Sequence, residues 1–151
     1  MANWVVLLVS GTLSAAAGVS FVAQQVVNAN LRTALGSPAW AGFVSYLGGT
    51  FCMLLLALAM RDAVPAWGEI ERSNWWAWTG GFFGAIYIAM SIFLLPRLGA
   101  AWFVALLVAG QMVASIVFDH FGLLGVSEQS IDTPRIVGVV LLVAGVVLIR
   151  F

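Results

Sequence analysis

The chain has 151 residues, of which 63% are apolar and only 8% are charged. An average soluble domain is about a quarter charged, so six arginines and six acids cannot cover a water-soluble surface of this size. The composition therefore predicts an integral membrane protein lying in a lipid bilayer. It excludes a nucleic-acid binder, which needs a basic face, and a disulfide-stapled secreted domain, since Cys52 is the only cysteine.

Uncharged intervals between the charged residues set the limits of the membrane spans. A helix needs about 20 apolar residues to cross a hydrocarbon core about 30 Å thick, and flanking arginines can reach the interface. The intervals lack the alternation typical of strands, so they predict an all-α membrane protein. We expect one domain over residues 1–151 with five transmembrane helices, at about 4–30, 39–60, 74–95, 99–118 and 134–151.

Local signals predict where several of these helices begin or end. A capping hydroxyl followed by proline at the first helical position is typical of a helix N-terminus, and proline elsewhere tends to stop a helix. Pro96 is therefore expected to end the third helix. The two predicted N-termini of this kind are Ser37-Pro38 and Thr133-Pro134.

The six arginines divide equally between the two sides of the membrane. The side that carries the N-terminus, face A, receives the 61–73 and 119–133 loops, and the opposite side is face B. Orientation follows the excess of Lys and Arg in cytoplasmic loops, so a three-to-three tie leaves it undecided. Either another signal fixes the orientation or the chain inserts both ways. Face A holds Arg61, Arg72 and Arg135, and face B holds Arg32, Arg97 and Arg150.

Insertion in both orientations would form an antiparallel homodimer of ten helices. Two oppositely oriented copies reproduce the inverted repeat from which many transporters are built, and ten helices have room for an enclosed path. All six acids lie on face A, so three arginines and six acids give it a formal charge of −3 against +3 on face B. An antiparallel pair would cancel these charges. A paralogue of opposite orientation is the alternative partner.

Polar side chains inside the spans are the first candidates for substrate binding, because each needs a partner or a water-filled cavity within a membrane. A carboxamide is especially demanding, since one helix cannot satisfy its two donors and its acceptor. Hydrogen bonding between helices is an equal alternative for the carboxamides. The candidates are Gln25 and Asn28 on the first helix, Tyr87 on the third, and Gln111 and Ser115 on the fourth.

Two glycines and two titratable residues are not proposed as substrate-binding residues. Gly80 and Gly84, four residues apart, are expected to form a packing seam rather than a substrate contact. No charged residue or histidine lies at mid-span, so the nearest titratable groups are Asp119 and His120 at the end of the fourth helix. They are possible coupling residues, although a solvated helix end is their more ordinary role.

Three stretches of the sequence resemble one family. Residues 28–38, NANLRTALGSP, are similar to the first-to-second helix signature of the YdcZ-like family, which belongs to the drug/metabolite transporter superfamily. Residues 96–125, with Ala-Gly-Gln at 109–111 and Asp119 ahead of Phe121-Gly122, resemble its most distinctive motif, and 135–149 also fits.

The resemblance implies a five-helix half-transporter that pairs, with a cavity lined mainly by helices one, three and four. The first helix has no glutamate, unlike that of the small multidrug resistance proteins, so proton-coupled drug export is not implied.

The leading hypothesis is a multi-pass transporter of the bacterial inner membrane that moves a small polar or weakly charged organic metabolite by alternating access. A dual-topology channel and a membrane assembly subunit without transport activity are the alternatives. We expect no enzyme activity, no cofactor and no metal site, because the chain has no catalytic motif and no clustered metal ligands.

Overall fold

The computed structural model describes residues 4–150, and all regular structure among them is helical. The prediction of an all-helical chain is confirmed. The chain divides into two compact units, of which the first ends at Pro96 and the second begins at Arg97. Short 3₁₀ helices at Trp75–Thr79 and Leu123–Gly125 precede α4 and follow α5. The α-helices are α1 Trp4–Leu35, α2 Pro38–Met60, α3 Trp67–Arg72, α4 Gly80–Leu98, α5 Ala100–Phe121 and α6 Thr133–Ile149.

Four helical segments within residues 4–150 are long and apolar enough to cross a membrane: α1, α2, α5 and the run Trp75–Leu98 that includes α4. Helix α6 has 17 residues and so extends about 25 Å, less than the usual hydrocarbon thickness. The fifth span therefore stays a prediction. Its expected end at residue 151 lies outside the described residues.

The two predicted helix N-termini have different outcomes. Ser37 caps α2 as expected, and its side chain accepts a hydrogen bond from the Trp40 amide at 3.3 Å. The residue that caps α6 is Asp132 rather than Thr133, because Asp132 Oδ1 accepts from the Arg135 amide at 2.9 Å. A carboxylate at this position also complements the positive end of the helix dipole.

The prediction that Pro96 ends the third span is wrong. Helix α4 continues through Pro96 to Leu98, so the proline occupies its last turn. Proline has no amide hydrogen, and the carbonyl four residues earlier, that of Ile92, loses its usual donor. Arg32 Nη1 donates to this carbonyl at 2.9 Å from a position 60 residues away in the sequence.

Helix α1 and the segment after α2 also differ from expectation. Helix α1 continues to Leu35 rather than to residue 30, and Gly36 follows it in the left-handed region with φ +62°. The polar stretch 61–73, expected as a loop, contains the short helix α3. Glu69 stabilises the start of α3 by accepting from the Ala66 amide at 2.9 Å.

The first unit is packed together around the C-terminal end of α1. Residues 4–20 of α1 are exposed, whereas a small cluster farther along joins α1, α2 and α4. Helix α2 meets α4 through side chains at this cluster, and a Cβ on Gly42 would make only an ordinary contact with the Ile88 side chain, at 3.6 Å. The cluster consists of Ala41, Ile88 and Ile92, with Leu31, Tyr46 and Tyr87 packed against it.

The second unit is an antiparallel pair formed by α5 and α6. At one end of the pair, the Arg150 guanidinium lies 5.5 Å from the centre of the Trp102 ring. At the other end, Arg135 forms an ion pair with Asp119. These contacts join the start of each helix to the end of the other.

Candidate functional site

A cleft of about 650 Å³ lies among α1, α2 and α4 of the first unit, which is within the range of small-molecule sites. None of its lining side chains is charged. The lining combines aromatic rings with amide and hydroxyl groups, so it suits a compound that has both flat apolar and polar parts. The lining residues are Phe21, Gln24, Ser45, Tyr46, Gly49, Thr50, Cys52, Met53, Tyr87 and Ile88.

Aromatic side chains give the cleft its firmest contacts. Phe21 of α1 stacks on Tyr87 of α4, with ring centres 5.0 Å apart and planes inclined at 17°. Tyr46 extends from α2 to α4, where its hydroxyl occupies the space that a Cβ on residue 84 would need. Gly84 is therefore a packing position, as expected. A Cβ on Gly80 would meet no atom of the described residues within 4 Å.

Gln25 and Asn28 are almost completely buried, with 1% and 3% of their surfaces exposed. Among the described residues, neither end of the Gln25 carboxamide has a hydrogen-bond partner, and the same is true of Asn28 Nδ2 and the Tyr87 hydroxyl. A buried polar group left unpaired costs about 1–3 kcal/mol. No protein group among the described residues pairs with these atoms, and inside a protein such partners are water, a ligand or a second chain.

The two buried amides belong to one stripe of α1 that faces α4. Residues spaced i, i+4, i+7 and i+11 share a helix face. At the two ends of the stripe the contacts with α4 are direct, to the Tyr87 ring and to the Ile92 carbonyl. The amides lie between these contacts. The stripe consists of Phe21, Gln25, Asn28 and Arg32.

Of the predicted binding residues, Tyr87 alone is among those that line the cleft. Gln24 lines it in place of its neighbour Gln25. Helix α2 contributes Tyr46 and Thr50, which the sequence analysis did not select. Their spacing of four residues puts them on one helix face, and Ser45 beside Tyr46 adds a third polar side chain, so the sequence did contain a signal for this lining.

Gln111 and Ser115 lie on α5 in the second unit, and both are exposed. The Ser115 hydroxyl donates to the Met112 carbonyl of its own helix at 3.1 Å. Such a bond satisfies a hydroxyl in an apolar environment without a second helix. The side chain therefore carries no unpaired hydrogen-bond donor in the described structure.

Asp119 takes part in a clasp that holds the 119–133 loop against the end of α5. Arg135 Nη1 lies 3.4 Å from Asp119 Oδ2, and Arg135 Nη2 donates to the side-chain oxygen of Gln129. The Gln129 amide donates to the Asp119 carbonyl oxygen at 2.7 Å. The charged side chains are about one third exposed, so their pairing is a modest structural contact.

His120 packs edge-to-face on Phe121, with ring centres 4.8 Å apart. Its Nδ1 atom is buried and has no partner among the described residues. Within residues 4–150 no group of three or more His, Cys, Asp or Glu side chains is arranged to hold a metal ion.

Several apolar helices of membrane-spanning length define a multi-pass membrane protein, and three of its helices surround a cleft that is large enough for a small molecule. Residues 9–148 match the family model described as "Putative inner membrane exporter, YdcZ". The chain belongs to this family, whose description is that of a transporter rather than an enzyme.

A curated relative supports this assignment. The chain is 28% identical to "Inner membrane protein YdcZ" of Escherichia coli (strain K12) over 131 residues, which cover 86% of this chain and 87% of that protein. No solved structure matches the chain.

Proposed function

We propose that the chain is a transporter of the bacterial inner membrane that moves a small polar or weakly charged organic metabolite, working by alternating access as an antiparallel homodimer. The observation that carries the proposal is the set of unpaired buried polar groups beside the cleft, at Gln25, Asn28 and Tyr87. In helices that are otherwise apolar, such groups are destabilising unless a ligand or a second chain satisfies them.

The cleft is suited to a substrate without strong net charge. No lining residue can neutralise an anion or a cation directly, whereas rings and amides can hold a polar molecule by stacking and hydrogen bonding. Tyr87 would supply a ring face and a hydroxyl. Gln25 and Asn28 are buried and lie outside the cleft lining, so they would supply carboxamides only in a conformation in which α1 and α4 separate.

The second unit contributes further candidates to this proposal. Gln111 would contact the substrate along its path, and Ser115 would do so as a hydrogen-bond acceptor, since its hydroxyl hydrogen is bonded to its own helix. Asp119 and His120 would be the coupling residues, with the Asp119–Arg135 ion pair as the contact that coupling would alter.

The partner in the proposal is a second copy in inverted orientation. The equal division of arginines between the two faces favours insertion both ways, and the charges of the faces cancel in such a pair. Burial within one chain is also slight: the described buried residues are six apolar and three polar ones. Lipid and a second copy would together cover the remaining apolar faces.

Purified protein in proteoliposomes tests the transport function. Vesicles loaded with a defined mixture of amino acids, polyols, nucleosides and small amines are expected to lose at least one compound faster than protein-free vesicles, with counterflow when that compound is added outside. Tyr87→Ala is expected to slow this efflux about tenfold, because a ring contact and a hydroxyl are lost. Phe82→Ala is the matched control, since this ring on α4 is 65% exposed and lies outside the cleft lining.

The alternatives give different results in the same vesicles. A channel passes inorganic ions without counterflow, and an assembly subunit releases nothing. The dimer is tested separately by reporters fused to the two termini, which are expected on both sides of the membrane. Reporters confined to one side would contradict the antiparallel homodimer.

A further inference from the structure

Helix α4 contains a defect in its backbone hydrogen bonding. Pro96 cannot donate to the Ile92 carbonyl, and the proline ring also crowds that carbonyl away from the helix axis. An unpaired carbonyl within a membrane-spanning helix is costly, so such sites are tolerated where a neighbouring group supplies a donor. A donor from another helix would tie that helix to α4 at this point.

Arg32 is placed to be that donor. Its Nη1 atom lies 2.9 Å from the Ile92 carbonyl oxygen, and its guanidinium carbon lies 5.4 Å from the centre of the Phe93 ring. A guanidinium has five N–H donors in a fixed plane, so one can serve the carbonyl while the plane packs on the ring. The bond is partly buried, which limits competition from water.

The Arg32–Ile92 hydrogen bond also bears on the cleft. On the α1 stripe Arg32 lies eleven residues beyond Phe21, or about 16 Å along the helix. The Phe21–Tyr87 stack is therefore the α1–α4 contact at the cleft, and the Arg32–Ile92 bond is the contact at the far end of the stripe. Gln25 and Asn28 lie between the two.

We propose that Arg32 is a positioning residue: it replaces the hydrogen bond that Pro96 removes from α4, and by doing so it fixes α1 against α4 at the far end of the stripe. The proposal concerns the joint itself and stands whether or not the protein transports a metabolite. It assigns Arg32 a structural partner 60 residues away rather than the role of a free interfacial charge.

A double-mutant cycle tests the replacement of the missing amide. Arg32→Met keeps an apolar stem but cannot donate, so it is expected to lower the unfolding temperature of the purified protein by about 3–8 °C. Pro96→Ala gives the Ile92 carbonyl an amide donor within α4. In the Pro96→Ala background, Arg32→Met is expected to lower the unfolding temperature by less than half as much as it does in the wild-type background.

The controls separate this role from charge and ring packing. Pro134→Ala removes a proline at the start of α6, where no helical carbonyl lies four residues earlier, and is expected to leave the Arg32→Met loss unchanged. The proposal would be overturned if Arg32→Met lowered the unfolding temperature equally in the wild-type and Pro96→Ala backgrounds. It would also be overturned if Arg32→Met did not lower the unfolding temperature at all. If the Arg32→Met protein cannot be obtained from membranes, the double variant Arg32→Met, Pro96→Ala becomes the test. Recovery of the double variant would support the proposal, and failure to recover it would contradict the proposal.

The positioning role has its own measurement. Cys52 lines the cleft and is the only cysteine, so its rate of reaction with N-ethylmaleimide reports on cleft geometry without further mutation. Arg32→Met is expected to raise this rate at least about twofold, and Pro96→Ala is not expected to restore it, because the tie to α1 is still missing. Arg32→Lys retains a donor and should keep the wild-type rate. An unchanged rate in Arg32→Met would overturn the positioning role.

Discussion

The two units of the chain satisfy their polar side chains in different ways. In the second unit, Asp119 pairs with Arg135, Asp132 caps α6 and Ser115 bonds to its own helix, so that His120 Nδ1 is the single buried side-chain atom without a partner in the described part of that unit. In the first unit, Gln25, Asn28 and Tyr87 all retain unpaired atoms.

This difference distinguishes polar groups that support the fold from polar groups available to bind. A side chain whose hydrogen bonds are complete within its own unit stabilises local structure, and its removal is expected to have a modest effect on stability. A buried amide without a partner destabilises the chain in isolation. Its presence is explained when a substrate or a partner chain completes its hydrogen bonds.

The largest effect is expected where the first unit is most tightly packed beside the cleft. Gly84→Ala places a methyl group on the Tyr46 hydroxyl, so the Tyr46 ring must move away from α4; where the surrounding packing resists such a movement, overpacking costs about 1–3 kcal/mol in the free energy of unfolding. The measurement is thermal or denaturant unfolding of the purified protein.

Tyr46→Phe provides the test of cause. Without the hydroxyl, the nearest ring carbon would lie 3.5 Å from the added methyl group, an ordinary contact, so the Gly84→Ala loss is expected to disappear in the double variant. Gly81→Ala is the matched control, because a Cβ there meets no described atom within 4 Å. A loss that persists without the hydroxyl would show that α4 itself requires glycine at this position.

A smaller effect is expected in the second unit. Asp119→Asn removes the charge opposite Arg135, and because both side chains are about one third exposed the loss should not exceed about 1 kcal/mol. Arg135→Gln should give a similar loss that does not add to the first. If Asp119 acts only in this clasp, efflux in proteoliposomes continues in Asp119→Asn at the wild-type rate. Loss of efflux at unchanged stability would instead assign Asp119 to coupling.

The sequence predicts the helices well where the signal is composition, and less well where the cause lies elsewhere in the fold. Long uncharged runs located α1, α2, α4 and α5, because within a membrane a single apolar segment can satisfy its polar backbone groups by itself only as a helix. The end of α4 was misplaced because the local effect of Pro96 is offset by Arg32, which is distant in sequence. Helix α3 was missed because residues 61–73 were assigned to a loop on the basis of their charges alone. The contact that stabilises the start of α3, in which Glu69 accepts a hydrogen bond from the Ala66 amide, was not considered.

The candidate site was predictable only where its signal lies within a single helix. Tyr87 could be selected because it shares one helix face with Gly80, Gly84 and Ser91. Gln24 and Gln25 are adjacent, and the sequence alone does not distinguish which one borders a cleft and which one is buried, since that depends on the rotation of α1 against its neighbours. Tyr46 contributes through its approach to Gly84, a contact between two helices that has no signature in either one.

Replacing Gln25 by leucine tests the central claim, that the unpaired amides of the first unit are present for binding and not for stability. Asn28→Leu is the matched variant, because Asn28 also has an unpaired buried amide group, and the same result is expected from it. In purified protein without added metabolite, the account predicts that Gln25→Leu leaves the free energy of unfolding unchanged or raises it by about 1–3 kcal/mol, because an unpaired buried amide is replaced by an apolar group of similar size. A fall in stability of similar size would contradict a substrate-binding role and make Gln25 a structural hydrogen-bonding residue, within its own chain or to the partner chain.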